Sequence, residues 1–185
     1  YLDTLLNQTE CDDIEFKSAA GGFPGSFWNT YSAFANTNGG TIVFGVKETD
    51  GKFLLNGLSD EQIEKYKKDF WNNVNNRSTI SCNLMNENNV LDAEYKGYRF
   101  LLFLVPRASK EQRPIFRTTD PYNGTYKRNY EGDYKCSRHE VNRMYADADE
   151  QHPADSRILK NYTMDDIDIE TIQAYRRKFS LSSPD

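Results

Sequence analysis

The segment from residue 15 to residue 48 constrains the fold more than any other part of the chain, because a short strand, a glycine-containing loop, an aromatic helix and a second strand follow one another in it. Phe27, Tyr31 and Phe34 recur at the spacing of one helical face. The apolar run at residues 41–46 is unbroken, which is typical of a strand buried on both sides. The segment therefore predicts a sheet with a helix packed against it.

Two glycine-containing stretches border the predicted helix. The loop at residues 18–26 leads from a strand into the helix N-terminus, where free amides can hold an anion, and Lys17 precedes it. The loop lacks the GxxxxGK[ST] pattern, so a nucleoside triphosphate site is not indicated, and an ordinary connection stays open as the alternative. Gly39 and Gly40 follow the helix and precede a strand, which predicts a helix C-cap and a close backbone approach.

Composition sets the broad class of protein. The chain has 185 residues, enough for one domain with an appendage, and its three cysteines form no close pair. With only two histidines, neither a disulfide framework nor a zinc site is indicated, and we expect reduced thiols in a cytoplasm. The longest apolar run is too short to span a membrane. Because the first residue is Tyr1 rather than Met, we expect a fragment of a longer protein.

Downstream patterns predict the remaining elements. Ser59 with Gln62, and Ser137 with Glu140, form capping boxes that predict helices ending near residues 76 and 148. Residues 79–85, 90–95, 98–105, 115–117 and 125–129 are predicted strands. Residues 147–161 have the composition of a linker, and residues 163–179 predict an acidic-to-basic helix. We therefore divide the chain into a domain at residues 1–148 and a linker with a C-terminal helix at residues 149–185.

The charges are unevenly distributed along the chain. The net charge is −5, yet residues 96–143 hold 11 basic and 5 acidic side chains. Tyrosines are interleaved with these cations, as in surfaces that neutralise phosphates and stack on bases. A solvated, tyrosine-rich sheet edge would give the same composition. Both interpretations remain open from the pattern.

Carboxylates stand at both ends of the opening segment, with Glu10 and Glu15 before the loop and Glu48 after the buried strand. If the two strands are neighbours in the sheet, these side chains could bind a divalent cation that activates water for phosphodiester cleavage. Glu10 and Glu15 are five residues apart, so they meet only if the chain bends between them. Lys47 would compete with a metal for Glu48, which favours structural ion pairing.

Four pieces of sequence, taken in order, resemble the Schlafen AlbA-like domain. They are Glu15-Phe16-Lys17, Ala33-Phe34-Ala35-Asn36-Thr37 with Gly39-Gly40, Gly45-Val46, and Tyr126-Lys127-Arg128 with Glu131-Gly132-Asp133-Tyr134-Lys135-Cys136. The resemblance implies an α+β fold with a mixed β-sheet flanked by helices, here with a C-terminal helical extension. It also implies the DNA-binding module of bacterial transcriptional regulators. In Schlafen proteins that cleave RNA, three carboxylates act together; Glu10 and Glu15 fall on two of those positions, and Glu48 is the candidate for the third.

Our leading hypothesis is a nucleic-acid-binding module without sequence readout, for which DNA is favoured over RNA as the partner. The alternatives are a metal-dependent endoribonuclease using Glu10, Glu15 and Glu48, with a divalent cation held by Glu10 and Glu15, and a non-catalytic oligomerisation or regulatory domain. No cofactor is expected otherwise, and no membrane partner; a homo-oligomer and a C-terminal region of a longer parent chain are expected partners. The cations expected to contact nucleic acid are Lys17, Arg113, Arg117, Lys127, Arg128, Lys135 and Arg138.

Overall fold

The computed structural model describes residues 13–49, 52–149, 166 and 168–182, and the chain divides into two compact units at residues 1–151 and 152–185. The helices are α1 (Phe27–Asn36), α2 (Asp60–Val74), α3 (Pro121–Gly124), α4 (Arg138–Ala148) and α5 (Ile169–Ser182). The strands are β1 (Ile14–Lys17), β2 (Gly40–Phe44), β3 (Val46–Thr49), β4 (Lys52–Leu55), β5 (Val90–Tyr95), β6 (Tyr98–Val105), β7 (Tyr126–Asn129) and β8 (Gly132–Lys135). The predicted α+β architecture is confirmed.

A four-stranded mixed sheet forms the centre of the first unit. Its strand order is β1-β2-β6-β5, in which β1 and β2 are parallel and the other pairs are antiparallel. Strand β2 is central and buried, as its apolar sequence predicts. The edge strand β1 alternates between buried and half-buried residues. Because β1 is an edge strand, its half-buried side chains, Glu15 and Lys17, lie at the border of the sheet.

Each face of this sheet covers its own apolar cluster. On one face, α1 and α2 pack Phe27 and Phe70 against Phe44 and Phe103, with the Phe27 and Phe103 ring centroids 4.9 Å apart. On the other face, Ile14, Phe16, Val43, Val46, Phe100 and Leu102 form a smaller cluster, against which Phe53 and Leu55 of β4 pack. Full burial of an aromatic or aliphatic side chain contributes about 1.5–3 kcal/mol, so these clusters supply most of the driving force for folding.

The apolar run at residues 41–46 is not one strand, contrary to the prediction. Gly45 has a φ of 100°, which ends β2 and sends Val46 into a hairpin with β4. A Cβ on Gly45 would lie 3.1 Å from the Phe100 ring, so the neighbouring strand also favours glycine here.

Gly39 ends α1 as predicted. Its φ is 80°, and its amide donates to the Phe34 carbonyl at 2.8 Å. A Cβ on Gly39 would lie 2.8 Å from the Val105 carbonyl oxygen, which is the predicted close backbone approach.

The strand predicted at residues 79–85 is wrong. Ile80 forms only an isolated bridge with Arg117. At residues 82 and 84 a buried side chain holds the backbone instead, since the Tyr31 hydroxyl accepts from the Leu84 amide at 2.8 Å and donates to the Cys82 carbonyl at 3.4 Å. Burial raises the pKa of Tyr31 above its usual value. The strand predicted at residues 115–117 is likewise reduced to isolated bridges.

Both predicted capping boxes are present. Ser59 and Gln62 begin α2, and Ser137 and Glu140 begin α4, each with reciprocal side-chain and backbone hydrogen bonds.

In the second unit, Asp168 accepts from the amides of Glu170 and Thr171 at the start of α5. Residues 163–165 of the predicted C-terminal helix lie outside the described residues. Among the helices in the described part of the chain, none has the length and apolar character needed to cross a bilayer.

Candidate functional site

Two buried polar residues of helix α1 hold the distal part of the chain. The Asn36 amide donates to the carbonyls of Ile115 (2.8 Å) and Tyr126 (2.9 Å), and its oxygen accepts from the Ile115 amide at 2.8 Å. The Ser32 hydroxyl donates to the Ile115 carbonyl at 2.7 Å and accepts from the Tyr126 amide at 3.0 Å. Both side chains are buried, so each satisfies backbone groups that water does not reach.

This role of Ser32 and Asn36 was not predicted. The signal was present, because polar residues four apart on a buried helix share one face. Thr37 extends the same function, since its hydroxyl accepts from the Arg128 amide at 3.0 Å. The sequence piece at residues 33–37 therefore serves as the anchor for β7.

A buried ion network joins β1 to the β7–β8 hairpin. One terminal nitrogen of Arg128 donates to the Glu15 carboxylate at 2.9 Å and to Asp133 at 3.0 Å, and the other donates to the Ile14 carbonyl at 3.1 Å. Asp133 also accepts from the Thr30 hydroxyl of α1 at 2.6 Å. The network brings the first and the last of the four sequence pieces described above into contact, and the Arg128 guanidinium also lies 5.1 Å from the ring centroid of Phe34 in the second piece.

The environment keeps Arg128 charged. Burial alone would lower its pKa, but the hydrogen bonds and negative charges of Asp133 and Glu15 outweigh that effect and raise the pKa above its ordinary value. The side chain is 2% exposed, so its guanidinium is not accessible to a phosphate in this conformation. The geometry therefore makes Arg128 a structural cation and removes it from the surface that we expected to contact nucleic acid.

Lys17 has a similar placement. Its ammonium group donates to Glu15 at 2.8 Å and to the Ser26 hydroxyl at 3.2 Å, and its side chain is 9% exposed. The parallel register sets Glu15 and Lys17 opposite Ile42 and Phe44, and hence on the sheet face covered by α1. Lys17 thus ties β1 to the start of α1, and little of its charge faces solvent.

The candidate carboxylates do not form a metal site in the described residues. Glu15 is bound by Lys17 through one oxygen and by Arg128 through the other, so both of its oxygens already have cationic partners. Glu48 lies exposed on the β3–β4 hairpin, outside the four-stranded sheet, and Glu10 lies outside the described residues. Across residues 13–49, 52–149, 166 and 168–182, no three His, Cys, Asp or Glu side chains come together to hold a metal. The residues described do not fit a divalent cation.

Two of the expected cations are exposed and converge on the short helix α3. The Lys135 ammonium donates to the Asn123 side-chain carbonyl at 3.1 Å, and the Arg138 guanidinium lies 4.5 Å from the Tyr122 ring centroid. Asp120, which caps α3, is a nearby carboxylate: its hydrogen bond from Asn123 lowers its pKa, with a smaller contribution from the charge of Arg138. Lys135 and Arg138 are therefore exposed cations that lie beside adjacent residues of α3, Asn123 and Tyr122.

Lys127 belongs to the same region but is paired. Its ammonium group forms an ion pair with Glu140 in the first turn of α4, and its side chain remains 41% exposed. The hydrogen bond from Lys127, followed by those from Ser137, lowers the pKa of Glu140 to about 2, and the same ion pair raises the pKa of Lys127. The exposed tyrosines of the hairpin, Tyr130 and Tyr134, complete a surface with Lys127, Lys135 and Arg138 that we call the hairpin surface.

The remaining two expected cations are half-buried beside other elements. Arg117 donates to the Asn29 side-chain carbonyl of α1 at 2.5 Å, which ties it to the first turn of that helix. Arg113 precedes the buried Pro114, and its Nε atom is buried without a hydrogen-bond partner. Neither is as exposed as Lys135 and Arg138. Lys127 is exposed but paired with Glu140, so Lys135 and Arg138 carry the accessible charge that no ion pair described here neutralises.

A mixed sheet flanked by helices, together with a distal hairpin anchored by α1, defines an α+β domain of AlbA-like class. Residues 10–137 match the family model described as "Schlafen, AlbA_2", and the chain belongs to this family. Residues 142–185 match a second model, described as "Domain of unknown function (DUF8451)". The resemblance drawn from the sequence pieces is thus confirmed.

The chain is also similar to solved structures. The NMR structure of the N-terminal domain of a RecG-related protein from Nitrosomonas europaea is 28% identical, with a TM-score of 0.53, covering 73% of this chain and 90% of that one. The DIP2311 protein from Corynebacterium diphtheriae is 19% identical with a TM-score of 0.48, covering 70% of this chain and 23% of that one. A comparison with curated proteins finds no match.

Proposed function

We propose that this domain binds nucleic acid through the phosphate backbone, with the hairpin surface as the contact region. The observation that carries the proposal is that Lys135 and Arg138 are exposed and contact uncharged groups. Lys135 contacts the side-chain amide of Asn123, and Arg138 contacts the ring of Tyr122. Because neither charge is neutralised by an ion pair in those contacts, both can replace the counterions of a phosphate. The family assignment and the similarity to a domain from a protein named as related to the DNA helicase RecG support the same class of partner.

DNA is the favoured partner and backbone contact the favoured mode. Lysine and arginine contacts to phosphate position a protein on nucleic acid without reading its sequence. We accordingly propose a module that gives a bacterial transcriptional regulator general affinity for DNA in a reducing cytoplasm. The alternative is a non-catalytic oligomerisation or regulatory domain, which the net charge of −5 favours. The ribonuclease hypothesis is not favoured, because Glu15 already has two cationic partners.

Salt dependence tests the proposal. We expect the protein to bind a fluorescently labelled 20-base-pair duplex, and its affinity to fall several-fold or more between about 50 and about 200 mM salt, since released counterions drive binding. Fluorescence anisotropy measures both quantities. A protein that binds neither DNA nor RNA at low salt would contradict the proposal. Size-exclusion chromatography of the same sample then tests the oligomerisation alternative.

A further inference from the structure

We propose that Tyr134 of the hairpin surface is a stacking platform for an unpaired base, so that the domain prefers single-stranded nucleic acid to a duplex. This inference rests on the proposed function and names the form of nucleic acid that the site takes. It is based on the position of one aromatic ring and the glycine beneath it. In a duplex the base faces are already stacked on one another, whereas an unpaired base offers its face to an aromatic side chain.

Gly132 supports the ring of Tyr134. The two residues are two apart on β8 and thus share one face of the hairpin. A Cβ on Gly132 would lie 2.6 Å from Cε2 and 2.9 Å from Cζ of Tyr134, so the ring occupies the space that any larger side chain would fill. Tyr134 is nevertheless 55% exposed. One side of the ring is therefore supported by the glycine while a large part of it faces solvent.

The surroundings of the ring suit a nucleotide. Lys127 lies directly across from Tyr134 in the β7–β8 register and is 41% exposed, which places an ammonium group on the same face of the hairpin. Tyr130 stands in the two-residue turn between the strands, with a φ of 55°, and is 73% exposed. A base stacked on Tyr134 would thus share its face of the hairpin with the Lys127 ammonium group, which also pairs with Glu140.

Tyr98 provides a matched control elsewhere in the chain. It is 43% exposed, and a Cβ on Gly57 would lie 3.0 Å from its ring. Tyr98 therefore also packs on a glycine, but it belongs to β6 of the four-stranded sheet and not to the β7–β8 hairpin. Tyr98→Leu and Tyr134→Leu therefore each remove an exposed ring that packs on a glycine, and only the second removes it from the hairpin surface.

The experiment measures affinity for a labelled 15-nucleotide thymidine strand and for a labelled duplex of the same length. We expect the wild-type protein to bind the single strand more tightly. Tyr134→Leu should lose about 5- to 150-fold in affinity for the single strand, the range of one base–aromatic stack, and change duplex affinity by less than about twofold. Tyr134→Phe should retain both affinities, and Tyr98→Leu should change neither. Gly132→Ala, which keeps the tyrosine but displaces its ring, should reproduce the single-strand loss.

The outcomes separate the two proposals. If Tyr134→Leu weakens single strand and duplex equally, or weakens neither, the stacking platform is overturned while the proposed nucleic-acid function stands. The same holds if the wild-type protein prefers the duplex. If the wild-type protein binds neither form at low salt, the proposed function fails and the platform fails with it. Circular dichroism of each variant checks that the fold is retained.

Discussion

The guanidinium of Arg128 donates a 2.9 Å hydrogen bond to the carboxylate of Glu15, a residue 113 positions earlier in the chain. This contact closes the distal hairpin onto the edge strand β1 of the sheet. Glu15 was a candidate catalytic acid and Arg128 a candidate phosphate contact when each was considered alone. Because they neutralise each other in a buried position, their pairing explains why both occur in the sequence and why the accessible charge lies elsewhere.

The first prediction concerns the stability of this pair. Arg128→Ala should lower the free energy of unfolding by about 3–5 kcal/mol, because Glu15 and Asp133 would remain in a poorly solvated position without a cation. Urea unfolding followed by tryptophan fluorescence measures the change. Arg107→Ala, which removes an exposed arginine, should change stability by less than about 0.5 kcal/mol. A loss below about 1 kcal/mol for Arg128→Ala would show that the ion network is not a stabilising element.

The second prediction concerns the anchor on α1. Asn36→Ala should cost about 2–4 kcal/mol, since it leaves the buried backbone groups of Ile115 and Tyr126 without partners. Asn38→Ala, an exposed asparagine two residues later, is the control and should be nearly neutral. Thermal unfolding measures both. Equal effects at the two positions would mean that the amide of Asn36 does not hold the distal segment.

The third prediction concerns acid stability. The pKa of Glu140 is lowered to about 2 in the folded protein by its hydrogen bonds with Lys127 and Ser137. A carboxylate with a lowered pKa stabilises the fold above its unfolded pKa of about 4.3, and this contribution disappears as the pH falls towards 2. The free energy of unfolding of Glu140→Gln should therefore fall less steeply than that of the wild type as the pH drops from about 4.3 to about 2. The exposed Glu94→Gln serves as control, and identical wild-type and Glu140→Gln pH profiles would refute the prediction.

The fourth prediction concerns phosphate contacts. Replacing Lys135 and Arg138 together by alanine should weaken binding to every DNA sequence and reduce the slope of log affinity against log salt by about 1–2, because each lost phosphate contact releases about 0.9 fewer counterions. Lys65→Ala with Lys68→Ala removes the same charge from exposed positions on α2 and should leave the slope unchanged. Equal changes in the two double variants would show that only total charge matters.

The fifth prediction concerns the thiols. Burial raises the pKa of Cys136 to about 11, and its side chain is buried, whereas Cys82 is half-buried. In a Cys11→Ser background, Ellman's reagent should react with Cys82 in the native protein and with Cys136 only after unfolding, since the thiolate is the reactive form. Peptide mapping of the labelled protein assigns the sites. Faster labelling of Cys136 would contradict its packing.

Local patterns predicted the elements whose causes are local. The capping boxes at Ser59 and Ser137 and the aromatic periodicity of α1 gave helices where the structure has them, because hydrogen bonds within one turn decide such starts. The strand prediction at residues 79–85 failed because the partners of this backbone are distant in sequence. The Ser81 amide donates to the Phe116 carbonyl, and Tyr31 holds the backbone at residues 82 and 84. The β3–β4 hairpin was missed because Gly45 interrupts an apolar run that otherwise resembles one strand.

The amino-acid sequence by itself determined the α+β class, the family and the concentration of positive charge between residues 96 and 143, since these follow from periodicity, motifs and composition. The tertiary structure alone decided which of those charges are accessible. Arg128 and Lys17 form ion pairs with Glu15 and are largely buried, whereas Lys135 and Arg138 remain at the surface. The physical reason is that an ion pair depends on which side chains the fold brings within a few ångströms, and that separation is unrelated to distance along the chain.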